Sequence, residues 1–425
     1  MGWDTRLKPE GNAMATNSDL QYLYGIHGFD IIRTQYEGGT TFLRLRHAKR
    51  SIRCPKCLSA HVIKNGTGSR TLRLTPTGNR PAFAILQTQR IRCCRCPFRG
   101  WLPVPFADPR RTYTRAFERY ALGLLDFGTI DHVAKHLGVG WDLVKDIHKR
   151  HLHKRYDKPP LKSVRRIAID EFYAGKKTKY FTLVLDLDSG AIIHVGRGKK
   201  AEALDKFWKR LRRHRDNIQA VAMDMSGAFQ AAVTKNLPTA VIVFDPFHVV
   251  KLVNEKLDQI RRDLVREAAE TDKEYIKGTR WLLLKGAQNL SHKPNPKKGN
   301  RSEVELLEEA LAFNQPLATA YYLKEDLRRL WSHSSLESGA EFLDGWIARA
   351  EATGIGPLGT MAQTLRRHRA GVLAYFTQGI TSGPMEAMNN KIRVFQRQTY
   401  GLRDHDYWEL CIKSIHRRTT CLVVG

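Results

Sequence analysis

Two cysteine pairs constrain this chain more than any other feature: Cys54-Pro-Lys-Cys57 and Cys93-Cys94-Arg-Cys96. Each C-x-x-C turn can present two thiolates. Four thiolates close a tetrahedral zinc site with no open position, a structural rather than a catalytic arrangement. The 35 residues between the pairs exceed the usual spacing of about 15–20, and their content accounts for the excess. Arg70–Leu74 and Ala82–Arg92 read as strands, and Pro76-Thr77-Gly78-Asn79-Arg80-Pro81 between them reads as a turn. A zinc ribbon with a long hairpin accommodates that gap. Cys94 is then spare, and His61 is a rival ligand. The competing reading is a redox dithiol or unrelated free thiols, but a redox C-x-x-C needs only one pair, in a βαβ setting. Zinc would hold together a basic module too small to bury a sufficient core alone.

Five of the seven cysteines fall between Cys54 and Cys96, while Cys411 and Cys421 stand alone. A secreted chain spreads its cysteines as staples, whereas one tight cluster favours metal ligation in a reducing compartment. The expected location is the cytoplasm. Lys and Arg outnumber Asp and Glu by 71 to 42, a net charge of +29. That excess points to a polyanionic partner. A membrane surface is a poor candidate, because no lipid anchor, basic amphipathic anchor helix or spanning apolar run is evident. Residues 1–19 lack the apolar core of a signal peptide. They are set aside as a flexible leader, with Met14 an alternative start.

Arg111–Leu125 has helical apolar spacing. Ile130, Val133, Ala134 and Leu137 then form one apolar stripe, Gly138 and Gly140 supply a turn, and Trp141, Leu143, Val144 and Ile147 line a further helix. Two short helices around a Gly-containing turn make a helix-turn-helix, whose second helix enters the major groove. An ordinary helical hairpin fits the same pattern, but the adjoining basic run favours DNA. Residues 149–166 carry eight Lys/Arg against one acid, Asp157, with Pro159-Pro160 marking a linker. Such a run suits phosphate contacts that strengthen binding without reading sequence. Lys145, Lys149, Arg150, Lys154 and Arg155 are the candidate DNA contacts here.

From residue 166 the pattern becomes α/β. Arg166–Phe172 reads as a buried strand ending in Asp170-Glu171. Thr178–Asp186 and Ala191–Val195 are further strands, Ala201–His214 a helix, and Ile218–Met223 a strand ending in Asp224. Next come helix Ser226–Lys235, strand Val241–Phe244 ending in Asp245, and a long basic helix over 246–268. The order β-β-β-α-β-α-β-α, a meander followed by crossover units, is that of a ribonuclease H-like fold. Sites in open sheets collect at the carboxyl ends of parallel strands. If the strands of Asp170 and Asp224 are neighbours, the two acids converge and require a cation. Oxygen ligands select Mg²⁺ or Mn²⁺, and two such ions about 4 Å apart suit phosphodiester chemistry.

A third carboxylate lies in Thr381-Ser382-Gly383-Pro384-Met385-Glu386. Ser382 or Thr381 can cap a helix and Pro384 suits its first turn, which places Glu386 near the helix start. Asn390, Lys391, Arg393 and Arg397 on this amphipathic helix are further candidate DNA contacts. A lone Asp at a strand end is more often a turn or cap residue, so placement rather than count singles these acids out. Glu171 points to the opposite face from Asp170. With Asp245 and His248 it forms a second tier.

Taken in order, these motifs resemble the bacterial insertion-sequence transposases of the ISL-three family, a group of DDE transposases. The matching residues are the double C-x-x-C, the helix-turn-helix at about 129–150, Ile169-Asp170-Glu171, and Met223-Asp224-Met225-Ser226. They continue with Phe244-Asp245-Pro246-Phe247-His248, Glu386-Ala387-Met388-Asn389-Asn390-Lys391-Ile392, and Arg397-Gln398-Thr399-Tyr400-Gly401-Leu402-Arg403. The resemblance implies that Asp170, Asp224 and Glu386 form the DDE triad and ligate two Mg²⁺ (or Mn²⁺). It implies recognition of terminal inverted repeats, cleavage at the transposon end and strand transfer to target DNA, by a homodimer or larger assembly on paired ends.

The expected architecture is multidomain α/β: a ribonuclease H-like catalytic core with an α-helical insertion, preceded by a zinc ribbon and helix-turn-helix. The expected segments are a zinc-ribbon module over 20–105, a helix-turn-helix and basic linker over 106–160, the first part of the core over 161–268, a helical insertion over 269–380, and the glutamate helix with a C-terminal helix over 381–425. Two rivals stand beside this reading. One is a zinc-ribbon and helix-turn-helix regulator without catalysis. The other is a metal-dependent, structure-specific nuclease.

Overall fold

The computed structural model describes residues 17–175, 179–267, 276, 278–296, 299–399 and 404–417. Most of the expected leader, Cys421 and the Tyr400–Arg403 end of the tail motif lie outside the described residues. The described chain falls into two compact units, one up to Lys154 and one from Arg155 to Arg417.

The first unit opens with a short helix, α1 (Asn17–Leu23), and a five-stranded sheet. Its strands are β1 (Phe29–Glu37), β2 (Thr40–His47), β3 (Val62–Thr77), β4 (Arg80–Cys93) and β5 (Arg99–Trp101), in the order β1-β2-β4-β3 with β5 on β4. Gly78 and Asn79 both have positive φ, 56° and 61°, the two-residue hairpin geometry whose twist matches the flanking strands. The β3–β4 hairpin is longer than the expected stretches at both ends, because pairing runs from Thr77↔Arg80 at the turn to Val62↔Cys93 at the base. Leu72, Leu74, Ala82, Ala84 and Leu86 fill the core beneath it, with Leu43 and Leu45 from β2.

Three helices complete this unit: α2 (Arg115–Leu124), α3 (Ile130–Leu137) and α4 (Trp141–Tyr156). The first starts four residues later than its apolar spacing suggests, because the Thr114 hydroxyl accepts from the Phe117 N–H at 3.2 Å and sets the N-cap there. Thr129 caps α3 in the same way, and Gly138 ends it in the left-handed conformation (φ 60°). Phe117, Ala121, Val133, Ala134, Leu137, Val144 and Ile147 form the helical core. Buried Arg73 of β3 donates to the Leu137 carbonyl at 2.7 Å and so ties the end of α3 to the sheet.

The second unit is built on β6 (Arg166–Gly175), β7 (Lys179–Asp186), β8 (Ile192–Arg197), β9 (Ala220–Met223) and β10 (Val241–Phe244), in the order β10-β9-β6-β7-β8. Strands β10, β9 and β6 are parallel, while β7 and β8 join antiparallel. The crossover helices are α5 (Asp205–Leu211) and α6 (Gly227–Asn236), and α7 (Pro246–Glu267) leaves the sheet after β10. The helix expected over 201–214 is a 3₁₀ turn at Ala201–Leu204 followed by α5, which ends at Leu211.

The helices with described bounds that come next are α8 (Arg280–Leu284), α9 (Glu303–Phe313), α10 (Gln315–Arg328), α11 (Leu336–Ala352), α12 (Gly356–Arg367) and α13 (Arg369–Gln378). They share one hydrophobic core with the sheet, in which Trp346, Leu327 and Met361 are fully enclosed. Gly371 lets α13 lie against β10, since a Cβ there would meet the Phe244 ring at 2.5 Å. The last helices are α14 (Gly383–Gln398) and α15 (His405–Ser414). Trp408 of α15 packs on Phe181 and Phe172, with centroids 4.3 and 6.2 Å apart. The chain is therefore a mixed α/β protein with the expected helix-turn-helix elements and sheet.

Candidate active site

The site arises from register. Ala168 of β6 pairs with Ala222 of β9, and Phe244 of β10 pairs with Met223. Three aspartates, Asp170, Asp224 and Asp245, therefore come to the same level on adjacent parallel strands. Asp170 does not end its strand, as its sequence suggested. Strand β6 continues to Gly175, while β9 stops at Met223 and leaves that edge of β6 without a neighbour. In open sheets, sites collect where the shorter parallel strands give out.

The three acids have different surroundings. Asp170 is partly buried; its Oδ1 accepts from the Glu171 N–H at 2.7 Å and its Oδ2 from the Asn389 amide at 2.8 Å. Burial pushes its carboxyl above the ordinary range, and the nearby Asp224 charge adds to this, against the Glu171 N–H, His248 and Asn389. Asp224 is partly exposed and its Oδ1 accepts from the Ser226 N–H at 3.0 Å. Asp245 is 2% exposed and fully occupied. It accepts the Phe247 N–H at 2.7 Å, at the start of α7, and the Ser382 N–H, at the entry to α14. Of the three, Asp245 has become a clamp between two helix starts.

Glu386 is exposed in the first turn of α14. Thr381 makes the local cap, its hydroxyl accepting from the Gly383 N–H at 3.2 Å, while the Ser382 side chain makes no cap bond. Asn389 lies one turn on and is turned by about 60° around the helix from Glu386. Among the described residues, the group of His, Cys, Asp or Glu side chains gathered as for a metal ion is Cys54, Cys57, Cys93 and Cys96, whose sulfurs all lie within 4.8 Å of one another; Asp170, Asp224 and Glu386 do not form such a group. Glu171 is half-buried, and its carboxyl is pushed up by burial and by Asp224, against Lys199. His248 is half-exposed and acts on Asp170.

The cysteine cluster is different in kind. Cys54 and Cys96 sulfurs lie 3.5 Å apart, and Cys57 and Cys93 sulfurs 3.6 Å. A tetrahedron with Zn–S bonds of about 2.3 Å has edges of about 3.8 Å. Cys94 and His61 are exposed and outside the group.

The expected DNA contacts divide into engaged and presented groups. On α4, Arg150 is held by the Tyr113 hydroxyl, by Asp146 at 3.2 Å and by Glu118 at 3.3 Å. Its guanidinium holds the helices together. Lys145 sits over the Trp141 ring at 5.2 Å, Lys149 is half-buried, and Lys154 and Arg155 are exposed. On α14, Glu386, Asn390, Arg393 and Arg397 form one exposed stripe at i, i+4, i+7 and i+11, with Lys391 exposed beside it. Arg393 donates to Asn390 at 2.8 Å.

The family model described as "Transposase" (DDE, ISL3) matches residues 167–412, more than half of the chain, and the helix-turn-helix domain of transposase family ISL3 matches residues 102–152. The chain belongs to the ISL3 transposase family. It is a DDE transposase with a DNA-binding helix-turn-helix. The transposase of insertion sequence IS1001 from Bordetella parapertussis is 29% identical over 93% of this chain and 97% of its own. The transposase of IS1557 from Mycobacterium tuberculosis is 29% identical over 86% of each chain. A Drosophila P element transposase strand transfer complex aligns at TM-score 0.36 and 10% identity, over 73% of this chain and 93% of that one. A likeness that weak adds nothing to the assignment.

In this transposase the sequence did not single out Asn389 or the role of Asp245. A signal for Asn389 exists: it is polar among Met385, Met388 and Ile392, the buried positions of α14. Asp245 carries no such signal, because its partner Ser382 is 137 residues away. No helix among the described residues is long and apolar enough to cross a membrane.

Proposed function

We propose that this transposase binds terminal inverted repeats through its first unit and cuts and joins DNA with Asp170, Asp224 and Glu386. The observation that carries the site is the register that brings Asp170 and Asp224 to one level on β6 and β9. The sheet order and the mixed strand directions match a ribonuclease H-like core. The donor set fits a hard divalent cation: the acids are oxygen-only ligands, and Asp224 already acts on a partly buried Asp170. Two Mg²⁺ held there would supply activation of the attacking oxygen and stabilisation of the leaving one.

The residues have distinct tasks in this reading. Asp170 and Asp224 would hold the metals from the sheet, with Glu386 as the third ligand from α14. Asp245 fixes where α14 starts. The exposed stripe of Asn390, Arg393 and Arg397 lies along the phosphate backbone and orients the scissile bond. Hydrolysis of the phosphodiester at the transposon end frees a 3′-hydroxyl, which then attacks a target phosphodiester in line and expels the target strand's own 3′-oxygen, with no covalent protein–DNA intermediate. In the first unit Cys54, Cys57, Cys93 and Cys96 hold structural zinc, and α4 enters the major groove with Lys145, Lys149, Lys154 and Arg155 as its phosphate contacts. A homodimer or larger assembly acts on paired ends.

The direct test incubates the protein with terminal-repeat DNA, a target plasmid and Mg²⁺. Joined product is expected. Nicked product without joining makes the chain a nuclease, and binding alone makes it a regulator.

A further inference from the structure

The proposed chemistry leaves a buried polar group beside Asp170 unused. Asn389 is 5% exposed, and its Nδ2 donates to Asp170 Oδ2 at 2.8 Å, across 219 residues of sequence. Its Oδ1 is buried without a protein partner. An unsatisfied buried acceptor costs about 1–3 kcal/mol, and such groups in folded proteins call for an explanation. Turning the amide over does not relieve it, because the oxygen would then face an ionised Asp170.

The position of Asn389 is informative. It lies on the same helix as Glu386, one turn further on, and α14 packs on β6, the strand of Asp170. The Asp245–Ser382 contact fixes the entry of α14, and the Asn389–Asp170 bond fixes its second turn. The helix that carries the third acid is thus fastened to the first acid itself. Both Asp170 oxygens already accept one hydrogen bond, so the carboxylate is held in a single orientation. Outer partners of this kind set ligand geometry, and losing one typically costs 10–100-fold in metal affinity.

We propose that Asn389 is a positioning residue that makes divalent-cation binding at Asp170 and docking of the Glu386 helix a single event. Its Nδ2 orients the Asp170 carboxylate. Its Oδ1 is the acceptor kept for a water of the cation's shell, the one donor that joins when the site is loaded. This rests on the reading of Asp170 as a metal ligand.

The test uses the full chain without DNA. Mn²⁺ binding is followed by electron paramagnetic resonance, and amide hydrogen exchange over 383–392 is measured with and without Mn²⁺. In the wild type, Mn²⁺ should bind and slow exchange in α14. Asn389→Leu, which keeps the volume and loses both polar atoms, should bind Mn²⁺ about 10–100-fold more weakly. Its α14 exchange should no longer respond to the ion. Should that variant fail to fold by circular dichroism, Asn389→Ser, too short to span the gap, should show the same loss. A folded variant with wild-type Mn²⁺ affinity and wild-type protection of α14 overturns the proposal. Asp170→Asn separates the two levels. If it too binds Mn²⁺ as the wild type does, the assignment of Asp170 fails; if it alone loses binding, only the role of Asn389 fails.

Discussion

The cysteine cluster and the carboxylate site are built on opposite plans. In the first, the β3–β4 hairpin returns to its own base at Val62↔Cys93 and brings four sulfurs together with nothing else required. In the second, two acids share a level, Asp170 within β6 and Asp224 just past the end of the neighbouring β9, while the third rides on a helix that must be fastened from outside. A site that is complete from protein ligands alone stabilises a fold; a site left open can accept a substrate. On the proposed reading, a metal at the cysteines would be a matter of folding and one at the carboxylates a matter of chemistry.

The contrast has consequences of graded size. Cys57→Ser, or zinc chelation, should unfold the first unit and abolish specific end binding, because structural zinc contributes about 10–16 kcal/mol in small domains. Divalent cations should still stabilise the second unit of that variant, read by thermal melting. Normal end binding by the metal-free protein would remove the structural role of the cysteines. Asp245→Ala should destabilise the second unit by about 2–4 kcal/mol, since a buried N–H, that of Ser382, and a partly buried one, that of Phe247, lose their acceptor. End binding in a gel-shift assay should stay unchanged. If Asp245 were instead a cation ligand, its loss would spare the metal-free melting temperature.

Gly371→Ala should cost about 1–3 kcal/mol by overpacking against Phe244, seen as a lower melting temperature of the second unit only. The smallest effect has the opposite sign. Asp170→Asn removes a penalised charge and its repulsion with Asp224. In metal-free protein it should raise the melting temperature by about 2–4 °C, the shift that about 1 kcal/mol makes in a unit of this size. The same substitution should erase stabilisation by Mn²⁺. A lowered melting temperature without metal would show that the open site is not held under repulsion.

Sequence and structure agree where local chemistry decides. Thr129, Gly138 and the apolar stripe of α3 place that helix without tertiary information, and strand Val241–Phe244 has the same bounds in both. The paired C-x-x-C turns already name the four sulfurs that converge. The β1–β2 hairpin is absent from the sequence reading although it was legible, since Gly38-Gly39 between alternating residues is a two-residue turn signal. Other features were not legible. How far β6 runs past Asp170 depends on where β9 stops, and the fate of Asp245 depends on Ser382. Arg150 reads as a phosphate contact from its basic neighbours, but Tyr113 and Glu118, which occupy it, lie more than thirty residues upstream. Glu386 is the acid that depends most on family likeness, because its exposure in α14 does not by itself bring it to the aspartates.

On the proposed reading, recognising DNA and cutting DNA fall to different metals and different residues. The sharpest check is Asp224→Asn, with cleavage of supercoiled donor DNA in Mg²⁺ and end binding measured on the same protein. Near-normal end binding is expected, with a loss of cleavage on the order of 10⁴-fold. Cleavage at the wild-type rate, or a parallel loss of end binding, would contradict this division of labour.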